Sequence, residues 1–148
     1  FGLGSIPFML EKVFHKDYEY TAIEIDEEVT YLATKYVLDE LNSTIHLITA
    51  NAYSYMELND QKFDMIAMDV FDSDKVPEIF ETEEFLSLLK NALTEDGLII
   101  YNRLYQPRDE KKTDEFYNQT FSTVFKDACA KELEGNKMLM NTSTYLKT

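Results

Sequence analysis

A glycine turn and an acidic residue about 20 positions later are the first features that could do chemistry. The chain opens Phe-Gly-Leu-Gly-Ser, with glycines at Gly2 and Gly4. Glycine lets backbone approach a ligand closely, and a helix N-terminus following the turn can hold the polar end of a nucleotide. Glu24 ends the next predicted strand, where a carboxylate can bind both ribose hydroxyls. A Gly-x-Gly turn alone could be a simple corner, but the whole arrangement predicts a nucleoside site.

Three acids at the end of a later strand are the second candidate. Asp69, Asp72 and Asp74 close or follow the nearly continuous apolar run 63–70, which predicts a strand buried on both faces. Open α/β sheets bind ligands at the carboxyl ends of their strands. We therefore interpret Asp69 as a site residue, whereas a cap for the next helix explains Asp74 equally well.

The histidines and the cysteine point to no metal site or disulfide. His46 lies inside a predicted strand, without a nearby Cys, His or acidic residue at metal-ligand spacing, and His15 lies at a helix end. We predict structural and surface roles for them, and no metal. Cys129 is the only cysteine, so an internal disulfide cannot form. That composition is typical of a reducing compartment, and we predict a cytoplasmic protein.

The net charge argues against nucleic-acid binding. The 148 residues carry a formal charge of −14, and such a field repels phosphates and favours cationic ligands such as amines. Because the acids are spread along the chain, an acidic surface without a specific partner also explains the charge. No apolar run approaches the about 20 residues of a membrane span, so no membrane partner is predicted. The length predicts one domain, 1–148.

These residues must be positioned by alternating helices and strands. The pattern predicts helices at 8–15, 27–41, 53–58, 82–93 and 109–125, strands at 18–25, 44–49, 63–70 and 98–102, and a hairpin at 129–133 and 137–141. Such alternation predicts an α/β, Rossmann-like, doubly wound and mainly parallel sheet with helices on both faces and a closing antiparallel hairpin. In this fold a central strand feeds the glycine turn, so we expect that strand upstream of residue 1.

The motifs and their order resemble a known family. They are Gly2 to Pro7, Ala22 to Asp26, Asn51-Ala52, Phe63 to Ile66 with Asp69 to Asp72, and Glu95 to Ile99. In this order they resemble the S-adenosylmethionine-dependent methyltransferase fold, and more narrowly its spermidine synthase-like branch. An NAD-binding domain is the alternative for the turn, but Pro7 stands where its third glycine should be.

The resemblance implies roles for individual residues. Glu24 would hold the ribose hydroxyls, and Asn51 stands where the family usually has an aspartate contacting the adenine amino group. Asp69 would accept a proton from an attacking amine, and Asp72 would help to bind the substrate. The implied cofactor contacts are Gly2, Gly4, Ser5, Glu24, Ile25, Asn51, Ala52 and Asp69, and the implied catalytic residues are Asp69 and Asp72. The implied cofactor is S-adenosylmethionine or its decarboxylated form, without a metal.

The segment that would contact the acceptor departs from the spermidine synthase pattern. Those enzymes usually follow the acidic pair with Pro-x-Gly-Pro, replaced here by 73–77, and carry a Gln where this chain has Asn102. We therefore favour a methyltransferase-like enzyme with a small-molecule acceptor, such as an amine. Aminopropyl transfer to a polyamine and a non-catalytic relative remain alternatives, and a homodimer stays open. We place Tyr101, Arg103 and Tyr105 in a surface loop, with an acceptor pocket as the alternative.

Overall fold

The computed structural model describes residues 1–73 and 75–146. It divides into two compact units, Phe1–Tyr55 and Met56–Thr148, which we describe separately. Asp74, for which the sequence left a site role and a helix cap open, lies outside the described residues. Over the same described ranges, every helix is too short or too polar to cross a bilayer.

The first unit contains one pair of parallel strands. Strand β1 (Glu19–Glu24) pairs in parallel with β2 (Thr44–Thr49), residue by residue from Glu19–Thr44 to Glu24–Thr49. The helical elements are α1 (Ser5–Phe8), a π-helix (Met9–Val13), α2 (Glu27–Tyr36), a 3₁₀ turn (Leu38–Glu40) and the start of α3 (Ala52–Leu58), which continues past Tyr55. The first helix therefore starts directly after the glycine turn, earlier than the predicted residue 8.

The second unit contains a four-stranded sheet in the order β3, β4, β6, β5. Its strands are β3 (Phe63–Met68), β4 (Leu93–Leu104), β5 (Cys129–Leu133) and β6 (Asn136–Met140). Strands β3 and β4 are parallel, and β6 is antiparallel to both β4 and β5. The helical elements are a 3₁₀ turn (Glu78–Glu81), α4 (Glu83–Ala92), α5 (Glu110–Phe116), a π-helix (Tyr117–Phe121) and α6 (Ser122–Val124).

Side-chain caps fix where two of the helices begin. The Asp26 carboxylate accepts hydrogen bonds from the backbone N–H groups of Glu28 (2.8 Å) and Val29 (3.3 Å) at the start of α2. The Thr82 hydroxyl accepts one from the Phe85 N–H (3.2 Å) at the start of α4. Both caps satisfy donors that have no partner within the helix. The predicted helix starts at these two positions are confirmed.

Two local predictions are wrong for the second unit. The predicted turn at 94–97 belongs to β4, because pairing with β3 extends that strand back to Leu93 across a shift in register. Strand β3 is not buried on both faces, because side chains on it are exposed. Met65 is 37% exposed and Ala67 is also exposed.

An aromatic cluster holds β4 in place. Tyr101 is 1% exposed, and its ring centroid lies 5.4 Å from that of Phe116 and 6.1 Å from that of Phe121. Its hydroxyl donates a hydrogen bond to the Phe80 carbonyl (3.0 Å), so this buried polar atom is satisfied. Strand β4 is therefore a rigid support for the residues that follow Tyr101.

Glu11 connects the first π-helix to the start of β2. Its Oε2 accepts hydrogen bonds from the N–H groups of Asn42 and Ser43 and from the Ser43 hydroxyl, each at 2.9 Å. Its Oε1 accepts from Lys12 Nζ at 2.7 Å. The hydrogen bond from Lys12, and then that from the Asn42 N–H, lowers the pKa of Glu11 from 4.5 to about 2. The residue is 6% exposed and acts as a buried ionic link.

Candidate functional site

The glycine turn has the backbone conformation that the sequence predicts. Gly2 and Gly4 have φ angles of +60° and +73°, in the left-handed region that favours glycine. A Cβ at Gly4 would lie 3.1 Å from Phe1 Cζ and 3.2 Å from Val37 Cγ1. A Cβ at Gly2 would meet nothing within 4 Å. Gly4 is therefore needed for packing, while the backbone at Gly2 is open to a ligand.

Glu24 lies at the end of β1 and binds this turn directly. Its Oε2 accepts hydrogen bonds from the Gly2 N–H (2.8 Å) and from the amino group of Phe1 (3.3 Å). Its Oε1 accepts from the N–H groups of Ile25 (2.9 Å) and Asp26 (3.1 Å). A carboxylate offers about four lone-pair sites, and these four contacts use them. The predicted pair of Gly2 and Glu24 is thus brought together.

The Glu24 carboxyl is held in its charged form. Burial raises the pKa of Glu24, but hydrogen bonds from the Asp26 N–H and then the Gly2 N–H act against it, and the pKa is lowered. Next to it, Ile25 exposes 67% of its surface. An ionised acceptor and an exposed apolar side chain thus stand side by side at the end of β1.

Asn51 caps helix α3. Its Oδ1 accepts hydrogen bonds from the N–H groups of Tyr53 (2.9 Å) and Ser54 (3.2 Å), and Ala52 is the first residue of that helix. The oxygen that was expected to accept from an adenine amino group is therefore shared with the helix N-terminus. Ser5 begins α1 and is exposed.

Asp69 follows β3 in the second unit and is held by Asn102. Asn102 Nδ2 donates a hydrogen bond of 2.8 Å to Asp69 Oδ1, and the carboxylate is exposed. The parallel register pairs Met68 with Tyr101, so the residues that come next, Asp69 and Asn102, lie side by side. Sequence patterns did not predict a partner for Asp69, although correct alignment of the two strands would have identified Asn102.

Asp72 lies in a tight turn after Asp69. Its N–H donates to the Lys75 carbonyl (2.8 Å), and the Lys75 N–H donates to the Asp72 carbonyl (3.1 Å). Ser73 has a φ of +58°, a left-handed conformation that is uncommon for serine. The Asp72 carboxylate is exposed. The second unit therefore presents two exposed carboxylates, three residues apart, on one short segment.

Tyr101 and Arg103 do not lie in a surface loop, and that prediction is wrong. Both belong to β4 and are 1% and 4% exposed. Arg103 Nη1 donates to Glu81 Oε1, and its guanidinium carbon lies 4.8 Å from the centroid of the Phe116 ring. Alternating side chains along β4 place Arg103 on the buried face with Tyr101. Tyr105 is half-buried.

The histidines have the roles that the sequence predicts. His46 Nε2 lies 2.9 Å from Glu19 Oε1, so it connects β2 to β1, and His15 is exposed. Within residues 1–73 and 75–146, no three His, Cys, Asp or Glu side chains come together in a way that could hold a metal ion.

A comparison with protein families identifies the chain. The model of the spermine/spermidine synthase domain matches residues 4–135, which is most of its length. The chain belongs to the spermine/spermidine synthase domain family. All of the predicted site residues except Gly2 lie within the matched part. Membership of this family confirms the suspected spermidine synthase-like branch and favours it over the NAD-binding alternative.

A curated relative has a name that agrees with this family. The chain is 26% identical over 148 residues to the polyamine aminopropyltransferase of Vibrio vulnificus (strain CMCP6), covering 98% of this chain and 49% of the relative. The chain thus spans about half the length of that enzyme.

Two solved structures share the fold of this member of the spermine/spermidine synthase domain family. Human methyltransferase-like protein 13 in complex with SAH has a TM-score of 0.78 and 23% identity. The match covers 99% of this chain and 71% of the human chain. A probable spermidine synthase from Corynebacterium glutamicum ATCC 13032 has a TM-score of 0.79 and 19% identity. This match covers 99% of this chain and 55% of the Corynebacterium chain. These likenesses confirm the predicted Rossmann-like α/β fold class.

Proposed function

We propose that this protein transfers a group from an S-adenosylmethionine-type cofactor to a small-molecule acceptor. The observation that carries the proposal is the 2.8 Å hydrogen bond between the Gly2 N–H and Glu24 Oε2. It joins the glycine turn to the acidic strand end, which are the two parts of the predicted nucleoside site. Family membership supports the same class of cofactor.

The residues of the first unit fit a nucleoside if two contacts of Glu24 are exchanged. Ribose hydroxyls are donors, and the ionised Glu24 carboxylate is an acceptor. Of its four contacts, those to the Phe1 nitrogen (3.3 Å) and the Asp26 N–H (3.1 Å) are the longest, and they are the ones that the two hydroxyls would replace. Gly2 leaves room for ligand atoms, and Ile25 offers an apolar surface to a base. Ser5, Asn51 and Ala52 remain proposed contacts.

The second unit supplies the acid–base chemistry of the proposal. The cofactor, when bound, offers a carbon attached to a positively charged sulfur, and this carbon needs no metal for activation. A protonated amine cannot attack it, because the nitrogen lone pair is occupied. We assign Asp69 to orient the amine and accept its proton, with Asn102 fixing the carboxylate. Asp72 supplies a second negative charge for a cationic acceptor.

Methyl transfer to an acceptor still to be identified is our first candidate, because the segment 73–77 departs from the spermidine synthase pattern. Aminopropyl transfer from the decarboxylated cofactor to a polyamine is the second. The family and the name of the Vibrio relative favour it. Cytoplasmic location and a homodimer stay predictions.

Mass spectrometry of products separates these candidates. The purified protein is incubated with a panel of amines and either S-adenosylmethionine or its decarboxylated form. A gain of one methyl group supports the first candidate, and a gain of an aminopropyl group supports the second. If no product forms and calorimetry shows that neither cofactor binds, the transferase proposal is wrong. Binding without turnover supports a non-catalytic relative.

Glu24→Gln should weaken cofactor binding by about 10- to 100-fold, because hydrogen bonds to a charged group are worth roughly 1.5–3 kcal/mol. The amide keeps the size of the side chain but replaces one acceptor oxygen with a donor. Isothermal titration calorimetry with S-adenosylmethionine measures the change.

The matched control for that experiment is Glu27→Gln, an exposed glutamate in the first turn of α2. It removes the same charge but lies outside the predicted site. Circular dichroism of each variant checks that the fold is kept. Equal affinity of native protein and a folded Glu24→Gln variant would refute the ribose assignment.

A further inference from the structure

A small cleft in the unit Met56–Thr148 is separate from the proposed proton acceptor. Its volume is about 30 Å³, and its lining includes Lys75, Glu81, Arg103, Asp109 and Lys112. This volume is enough for roughly two water molecules. The cleft can therefore accept a small polar group of a ligand.

Arg103 is the most unusual residue of this cleft. It is 4% exposed, and its buried Nε–H has no hydrogen-bond acceptor among the described residues. Leaving such a donor unpaired in the interior costs free energy, and native proteins usually satisfy it with protein, water or a ligand. Arg103 already binds Glu81 through Nη1, so its position is fixed.

The charges of the lining favour an anion. Among the described lining residues, three are cations (Lys75, Arg103 and Lys112) and two are carboxylates. Glu81 forms ion pairs with two cations, because Arg103 binds its Oε1 and Lys112 Nζ lies 3.4 Å from its Oε2. Asp109 Oδ2 lies 3.4 Å from Arg108 Nε. The cleft is thus locally cationic in a chain whose formal charge is −14.

We propose that this cleft binds the carboxylate group of a small molecule, with Arg103 and Lys112 as its donors. A carboxylate is planar and has two acceptor oxygens, which suits the edge of a guanidinium group. Lys75 also binds the backbone of Asp72, so an occupied cleft holds the segment that carries Asp72.

The experiment is an NMR titration of the Arg103 Nε–H signal with sodium acetate, against sodium chloride at equal ionic strength. We expect a saturable shift with acetate only. Lys112→Ala should weaken acetate binding by about three- to tenfold. The control is Lys111→Ala, on the same helix, whose side chain is 90% exposed and pairs with Glu115. These variants keep the buried ion pair of Arg103 with Glu81.

The proposal is overturned if the Arg103 Nε–H signal shifts linearly with acetate concentration, or if chloride shifts it equally. It is also overturned if Lys112→Ala and Lys111→Ala change acetate binding by the same factor. Tighter binding of inorganic phosphate than of acetate also overturns it. The readout needs neither cofactor nor turnover, so its result is independent of the transferase proposal.

A second titration identifies the source of the carboxylate, which is either the acceptor itself or a separate acid. 4-Aminobutyrate carries both an amine and a carboxylate. If the acceptor supplies the carboxylate, 4-aminobutyrate binds more tightly than acetate, and Asp72→Asn removes the difference. If the ligand is a separate acid, the two probes bind equally and Asp72→Asn has no effect. Both results retain carboxylate binding, whereas binding of neither probe overturns it.

Discussion

Asp69→Asn should lower turnover by at least about a hundredfold, since a positioned proton acceptor contributes 10²–10⁴-fold. Asparagine keeps the shape of the side chain, and its oxygen can still accept the 2.8 Å hydrogen bond from Asn102. It cannot take the proton of an amine at neutral pH. Cofactor affinity should change far less than turnover, because the ribose contact is proposed at Glu24 and Asp69→Asn keeps the shape of the side chain. Steady-state rates and calorimetry measure the two quantities.

Asp60→Asn is the control for this prediction. Asp60 is exposed, lies just before β3 and loses the same charge on substitution. Its turnover should stay within about twofold of the native rate. A folded Asp69→Asn variant that keeps native turnover contradicts the assigned role. That result would leave Asp72 as the next carboxylate to test on the same segment.

Local patterns predicted the elements whose boundaries depend on nearby residues. Strand Thr44–Thr49 matches its prediction in full, and the hairpin of β5 and β6 differs by one residue in one strand. Alternation, β-branched residues and a Gly-Asn turn are all local signals. The segment 94–97 failed because Thr-Glu-Asp-Gly is typical of a turn, while pairing of β4 with β3 decides its conformation. Tertiary pairing overrides local preference there.

The same limit applies to the candidate site. Glu24 and Asp69 could be found because acids at the ends of predicted strands are visible in the sequence. Their partners are less visible. Asn102 is 33 residues from Asp69, and a partner so distant can be identified only when the register of β3 and β4 is known. Glu24 was predicted as a ligand residue, but its four backbone contacts also make it the support of the glycine turn.

Glu11 gives the largest expected effect on stability, and sequence patterns did not reveal it. Its partners Asn42 and Ser43 are 31 and 32 residues away. Glu11→Gln should lower the Tm by several degrees, roughly 5 °C or more at pH 7, because an amide cannot accept all of these hydrogen bonds. Its amide nitrogen would also face N–H donors. Differential scanning calorimetry measures the change.

The effect should depend on pH with a definite sign. The pKa of Glu11 is lowered to about 2 in the folded chain from 4.5, so its stabilisation is fully present above about pH 4.5 and is lost as the pH falls through about 2. The difference in Tm between native protein and Glu11→Gln should therefore be constant from pH 7 to 5 and shrink below that. Glu40→Gln, an exposed change in the same unit, should show no such difference. A difference that stays constant down to pH 2 would show that packing, rather than the charge of Glu11, stabilises the link.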